Sequence, residues 1–288
     1  MIEIIEPGLE ATVQDRGRSG YAHLGVPRAG AADRTSFNLA NRLVGNPADA
    51  AGVEFLLGPY AVRFERAARF VVTGAPVSPC LDGRPVAQGV ALWAHAGQVL
   101  WCGYPAYGLR SYLAVAGGVD VCPVFGSRSS DTLSGLGPAP LVAGERLPLG
   151  AVVGSDAAAV DVVPLLNHAP ELEVRAAWGP REDWFTANGR QVLVSATWTV
   201  SAATDRIAAR LEGPVIESAD RGQLPSEGLH YGSVQVPPSG LPIIHLANHP
   251  PTGGYPVIAV IREADTSTLA QAVPGTRVRI RASVPASV

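Results

Sequence analysis

Glycine and proline interrupt this chain so often that long helices have little room. There are 32 Gly and 25 Pro among 288 residues, high for a helical bundle yet short of the low-complexity range. Between them lie short runs rich in β-branched and aromatic residues, the pattern of strands joined by tight turns. Candidate strands are Ile2–Ile5, Tyr60–Phe64, Phe70–Thr73, Gln98–Cys102, Ser111–Ala116, Val192–Trp198, Ser233–Val236, Pro242–Leu246, Val257–Arg262 and Arg277–Ile280. Three segments read as helices. Asp33 caps the first, whose Phe37, Ala40 and Val44 share one face and which ends at Gly45. Pro180 opens the second, with Glu182 and Asp183 near its positive end and Gly189 closing it. Asp265 or Thr266 caps the third, which runs through Leu269 to Ala272 and stops before Pro274.

Many strands and few helices make the fold class mostly β, a barrel or sandwich in preference to alternating strand and helix. The stretch from about 150 to 170 is small and featureless and reads as a linker. The expected domains are therefore 1–160 and 161–288, each of a size for one barrel. Ala143-Gly-Glu-Arg-Leu and Pro274-Gly-Thr-Arg-Val close the two halves on a similar phrase.

Lysine is absent; every one of the 22 cations is arginine. Biotin attachment, Schiff-base chemistry, a Walker A loop and a protein-kinase ATP site each need a lysine amine. Phosphate on this chain must be held by guanidinium groups or backbone N–H. The net charge of −3 points to neither a nucleic acid nor an anionic membrane as partner. Hydrophobic residues at 47% against 16% charged exclude a disordered chain. Cys80, Cys102 and Cys122 lie too far apart for a zinc site or disulfide framework and read as buried free thiols in a reducing compartment. The start lacks a basic segment followed by an apolar one, so a soluble cytoplasmic protein is expected.

Four clusters carry chemistry. Asp15, Arg16 and Arg18 sit in Val13-Gln-Asp-Arg-Gly-Arg-Ser-Gly ahead of the Asp33-capped helix, as either an anion site or structural turn contacts. Gly126-Ser-Arg-Ser-Ser-Asp131 places Ser127, Arg128, Ser129 and Asp131 on one Gly-rich loop, as a phosphate, carboxylate or Mg²⁺ site or as a Ser-rich turn. Asp205-Arg206 is either a structural ion pair or a carboxylate beside a charge-stabilising arginine. The uncharged, proline-rich run from Gln235 to Tyr255 suits a pocket lining. His245 and His249 are four apart, a metal spacing only on a helix, and the flanking prolines argue against one; no metal site is expected. No G-x-S-x-G, H-E-x-x-H or G-x-G-x-x-G occurs.

Several blocks in order, Gln14-Asp-Arg-Gly-Arg, Gly25-Val-Pro, Gly30-Ala-Ala-Asp33, Ala40-Asn-Arg-Leu-Val-Gly-Asn46, Gly117-Gly118, Gly126-Ser-Arg-Ser-Ser, and Gln235-Val-Pro-Pro through Thr252-Gly-Gly-Tyr-Pro256, resemble one family. It is the biotin-dependent carboxyltransferase A/B-subdomain family, also labelled allophanate hydrolase subunit 2. The resemblance runs from about residue 3 to 281. It implies two cyclophilin-like β-barrels and a C/D-type carboxyltransferase partner, the allophanate hydrolase subunit 1-like chain, with a LamB/YcsF-type subunit as a further candidate. Thr204-Asp-Arg-Ile-Ala208 stands where the family pattern has Ser-Asp-Arg-Met-Gly.

The activity so implied is part of an ATP-dependent 5-oxoprolinase that opens the lactam of 5-oxoproline to L-glutamate, inactive without its partner. ATP with Mg²⁺ is expected to be shared with the partner, and no biotin is attached here. Asp205, Arg206 and Arg128 are the catalytic candidates. Asp15, Arg18, Ser127, Ser129, Asp131, Gln235, His249, Thr252, Gly253, Gly254 and Tyr255 are candidates for binding the small amide substrate. The alternatives are a carboxyltransferase subunit of a urea carboxylase/allophanate hydrolase system and a non-enzymatic regulator that binds a kinase-inhibitor protein.

Overall fold

The structure, a computed structural model, describes residues 1–152 and 171–283. The chain divides into two compact units, Met1–Ser19 with Ala29–Asn167, and Gly20–Arg28 with His168–Val288. The expected 160/161 boundary, and the expected linker from 153 onward, lie outside the described residues.

The first unit is built from two antiparallel sheets. One orders Arg146–Leu147, Ile2–Glu6, Tyr60–Phe64, Val99–Cys102, Pro79–Leu81 and Arg84–Pro85; the other orders Glu10–Gln14, Gly52–Leu56, Arg110–Val115, Ala68–Gly74 and Leu92–Ala94. Alternate residues of both sheets meet in one core that includes Ile4, Val13, Phe55, Tyr60, Phe64 and Phe70, as the period of two requires. Helix α1 (Arg34–Val44) covers part of the opposite face of the second sheet. Its Phe37, Leu43 and Val44 pack on Val71, Tyr112 and Ala114, and burying Phe37 alone contributes about 2–3 kcal/mol. The Asp33 side chain accepts the Ser36 N–H at 3.0 Å, and Gly45 ends the helix at φ 74°, both as the sequence predicts.

The second unit contains a closed barrel of seven strands. Around it run Glu171–Trp178, Val257–Ile261, Ser233–Gln235, Ile243–His245, Ala208–Glu212, Trp198–Val200 and Arg277–Ser283. The last strand closes on the first in parallel, from Glu171 opposite Arg277 to Ala177 opposite Ser283. Val174, Trp198, Leu211, Val234, Ile244 and Ile280 fill the interior. The fold is thus mostly β with three short α-helices among the described residues.

Three expectations are corrected. Val192–Trp198 is not a strand: α2 occupies Ala187–Ser195 and the strand begins at Trp198. Thr186 caps α2 through Gly189 N–H at 3.0 Å, so Gly189 lies inside the helix instead of closing it. The Trp198 indole N–H donates to Leu193 O at 3.1 Å, which ties helix to strand and favours the helical choice for this β-branched run. α3 spans Glu263–Leu269, starting earlier than Asp265. The Asp265 carboxylate takes two guanidinium N–H groups of Arg175, both at or under 2.9 Å, instead of capping.

Of the three thiols only Cys102 is buried, and Cys122 is exposed. Burial pushes the Cys102 thiol up to about 12. Among the described residues, no helix is long and apolar enough to cross a membrane.

Candidate functional site

In the first unit the Gly-rich loops join in a polar network around Asp15, which follows directly on strand Glu10–Gln14. Its Oδ1 accepts Ser127 Oγ–H at 2.7 Å, Ser129 Oγ–H at 2.5 Å and Gly17 N–H at 2.7 Å; its Oδ2 accepts Arg128 N–H at 2.6 Å. A carboxylate offers about four lone-pair sites, so Asp15 is occupied in holding the 126–131 loop to its own turn. Gly137, at φ 82°, lets the chain pass beneath: a Cβ there would lie 2.1 Å from Ser129 O.

Arg18 enters this network as a buried cation, 2% exposed. Its Nη2 donates to Ser129 O at 2.5 Å and its Nε to Val124 O at 3.3 Å, while Nη1 has no hydrogen-bond partner among the described residues. Burial lowers the guanidinium below its ordinary pKa, and the charges of Asp131 and Asp15 offset this in part. Arg128 points elsewhere, donating to Val121 O (2.9 Å) and Asp120 Oδ1 (2.8 Å). Asp131 accepts Leu133 N–H at 3.0 Å and Ser134 Oγ–H at 2.5 Å, closing its own turn.

In the second unit strand alternation builds a different group. Val234 and Ile244 face the barrel core, so Gln235 and His245 lie on its outer face, with Ala208 opposite His245. The two-stranded segment Glu227–Gly228 with Thr252–Gly253 passes over them. Gly253 must be small there, because a Cβ would meet Gln235 Nε2 at 2.8 Å. Thr252, Gly254 and Tyr255 are exposed on this segment.

The hydrogen bonds assign the amide and the tautomer. Gln235 Nε2 donates to Tyr255 O at 2.7 Å, which turns Oε1 toward His245 Nε2 at 2.9 Å. His245 therefore carries its proton on Nε2, leaving an Nδ1 lone pair that is buried and has no partner among the described residues. Burial, then the charges of His249 and Arg210, lower its pKa to about 4, so the ring is neutral near pH 7. The His249 ring stands edge-on at 6.0 Å and its Nδ1 lies 2.8 Å from Pro250 O. Next to it, Asn248 N–H donates to Arg206 O at 3.0 Å, and Arg206 Nη2 approaches Asn248 Oδ1 at 3.4 Å. Arg206 is 5% exposed.

Asp205 does not form an ion pair with Arg206. Its Oδ1 accepts the N–H groups of Ile207 (2.7 Å) and Ala208 (2.9 Å), a local turn that delivers Ala208 to its strand. Beside the Gln235 segment opens a cavity of about 480 Å³. Trp184, Leu224, Val236, Pro238 and Tyr255 line it without a charged side chain. His245 is the residue sequence reasoning missed; reading Val234-Gln235 and Ile244-His245 as strand alternation would have placed both polar groups on one face.

Asp15, Asp131 and Asp205 are all engaged by N–H or O–H donors, and among the described residues no three His, Cys, Asp or Glu side chains gather as metal ligands. Asp15 and Asp131, with both oxygens taken, do not fit a Mg²⁺ ion. What the second unit brings together is neutral and cationic: the Arg206 guanidinium, the neutral His245 imidazole and the side-chain amides of Gln235 and Asn248.

Residues 24–282 match the family described as carboxyltransferase domain, subdomain A and B. The chain is 40% identical to a 5-oxoprolinase subunit of Escherichia coli K12 over 94% of its own length and 87% of that protein. It is 29% identical to the urea amidolyase of Lachancea kluyveri over 96% of its length, yet it spans only 16% of that enzyme. The crystal structure of the K. lactis urea amidolyase superposes with a TM-score of 0.89 at 28% identity, covering 97% of this chain and 18% of that one.

Proposed function

The chain belongs to the carboxyltransferase family of subdomains A and B, and from that premise we propose that it is a subunit of a 5-oxoprolinase, opening the 5-oxoproline lactam to L-glutamate. The observation that carries this reading is the higher identity to a 5-oxoprolinase subunit, along nearly the full length of both chains, than to urea amidolyase.

An unstrained lactam resists hydrolysis, and ATP, when bound, supplies the phosphoryl group that activates the amide oxygen. The group this chain contributes is Arg206, which steadies negative charge on that oxygen with its planar fork; His245, its Nδ1 buried from solvent, is a neutral positioning residue. Gln235 holds His245 in its Nε2-protonated tautomer. Asp205 spends its Oδ1 on the backbone turn that leads into the strand. The Mg²⁺ ligands come from the partner, a C/D-type carboxyltransferase subunit, and the third component of the enzyme is a LamB/YcsF-type subunit. Alone, this chain is inactive. Having no lysine, it carries no biotin.

The test is ATP turnover by the purified chain with its C/D-type and LamB/YcsF-type partners, comparing 5-oxoproline with urea. Stimulation by 5-oxoproline supports the reading. Stimulation by urea alone, with a biotin-bearing carboxylase present, assigns the chain to urea carboxylation instead.

A further inference from the structure

Past the C-terminal end of α1, the face of the five-stranded sheet that the helix packs on carries Arg69 and Trp93. Arg69 and Trp93 are direct partners across strands Ala68–Gly74 and Leu92–Ala94 and so share one face. Their neighbours Ala68, Phe70 and Ala94 face the core, so both side chains point outward. Trp93 is 65% exposed. Together with Arg66, Ala116 and Val152 they line a cavity of about 220 Å³.

Both guanidinium groups are anchored by one end only. Arg69 Nη2 donates to Val44 O at 2.5 Å, at the last turn of α1, and Arg66 Nη2 donates to Gly150 O at 3.3 Å. Among the described residues neither is ion-paired, and the Arg69 Nε is buried without a hydrogen-bond partner. Two uncompensated cations therefore face one cavity beside an open indole. A dianion answers the charge better than a single carboxylate does, and a planar ring answers the indole.

We propose that this cavity binds a nucleoside phosphate, its base stacked on Trp93 and its phosphate held by Arg66 and Arg69. The volume is below the usual range for small-molecule pockets, about 300–1,000 Å³. The ring therefore fills it while the phosphates lie at the rim, where Arg66 is exposed. The proposal deepens the ATP dependence above in one respect, by giving this chain a nucleotide contact of its own; its evidence is the cavity and not the family.

The test is direct binding to the purified full chain without Mg²⁺ or partner, by calorimetry and tryptophan fluorescence. The probes are ATP, AMP, adenosine, tripolyphosphate and inorganic phosphate. ATP and AMP are expected to bind and to quench Trp93. Adenosine and inorganic phosphate should each bind at least about tenfold more weakly than AMP, the usual scale of one stacking or charged contact. Trp93→Leu should remove the quench and weaken ATP by about tenfold, and Arg66→Gln should weaken ATP and leave adenosine unchanged. Arg69 also holds the end of α1, so the exposed Arg66 supplies the charge test where Arg69→Gln unfolds. Tripolyphosphate binding as tightly as ATP, or ATP binding unchanged in Trp93→Leu, overturns the site. So does capture of an acidic peptide in preference to nucleotides. Absence of nucleotide binding overturns it even where the assembled enzyme hydrolyses ATP; binding by an assembly that ignores 5-oxoproline supports the site while the functional reading falls.

Discussion

Asp15 and Ser129 are bonded twice over: the Asp15 N–H donates to Ser129 Oγ at 2.9 Å, and that hydroxyl donates to Asp15 Oδ1 at 2.5 Å. The pair joins residues 114 apart in the chain and sets the shape of both Gly-rich loops. Asp15→Asn puts an amide N–H₂ among donors, so a loss of about 3 kcal/mol is expected from the buried groups left unpaired. Ser127→Ala removes one donor of several and should cost about 1 kcal/mol. Urea denaturation of both variants checks the ratio; equal losses would refute the organising role of Asp15.

Protonation of His245 should govern part of the acid stability. Its pKa falls from an ordinary 6.5 to about 4 on folding, so between those values the unfolded chain binds a proton that the folded chain refuses. Stability is then full above pH 6.5 and declines toward pH 4, by about 3 kcal/mol in total at 1.36 kcal/mol per unit. His245→Gln keeps a donor for Gln235 and cannot titrate, so its stability should decline less over that window. Parallel declines in the two proteins would remove His245 as the cause.

Gly189→Ala reverses the usual helix rule. Alanine inside a helix ordinarily gains about 1 kcal/mol over glycine. At this position a Cβ would lie 2.3 Å from Glu217 O, a backbone atom, so α2 must shift off the 217 segment. A net loss of about 1–3 kcal/mol is expected, read as a lowered thermal midpoint. A raised midpoint would contradict the close approach.

Arg206→Lys keeps the charge and loses the planar fork. If that fork steadies the developing oxyanion, turnover by the assembled enzyme should fall by roughly 10²–10³-fold with the fold intact. Melting temperature and substrate-dependent ATP hydrolysis on one preparation separate this from a packing defect. Normal turnover in a well-folded variant takes Arg206 out of the site.

Local physics was legible from residues alone. Period-two runs located strands such as Tyr60–Phe64, and Asp33 with Gly45 bounded α1, because strand alternation and helix caps act within a few residues. The absence of lysine excluded whole chemistries without any structure. Partnership was decided only in three dimensions. Val192–Ser195 is helical because Thr186 and Trp198 tie it down from outside its own propensity. Asp15 looks like chemistry in the sequence, and its carboxylate is engaged with O–H donors that the fold brings from more than 100 residues away. His245 drew notice in the sequence only for its spacing from His249, until strand register set it beside Gln235 with one lone pair left over. A side chain's type is written in the chain, whereas the donors and acceptors left for it depend on which distant backbone the fold places within about 3 Å.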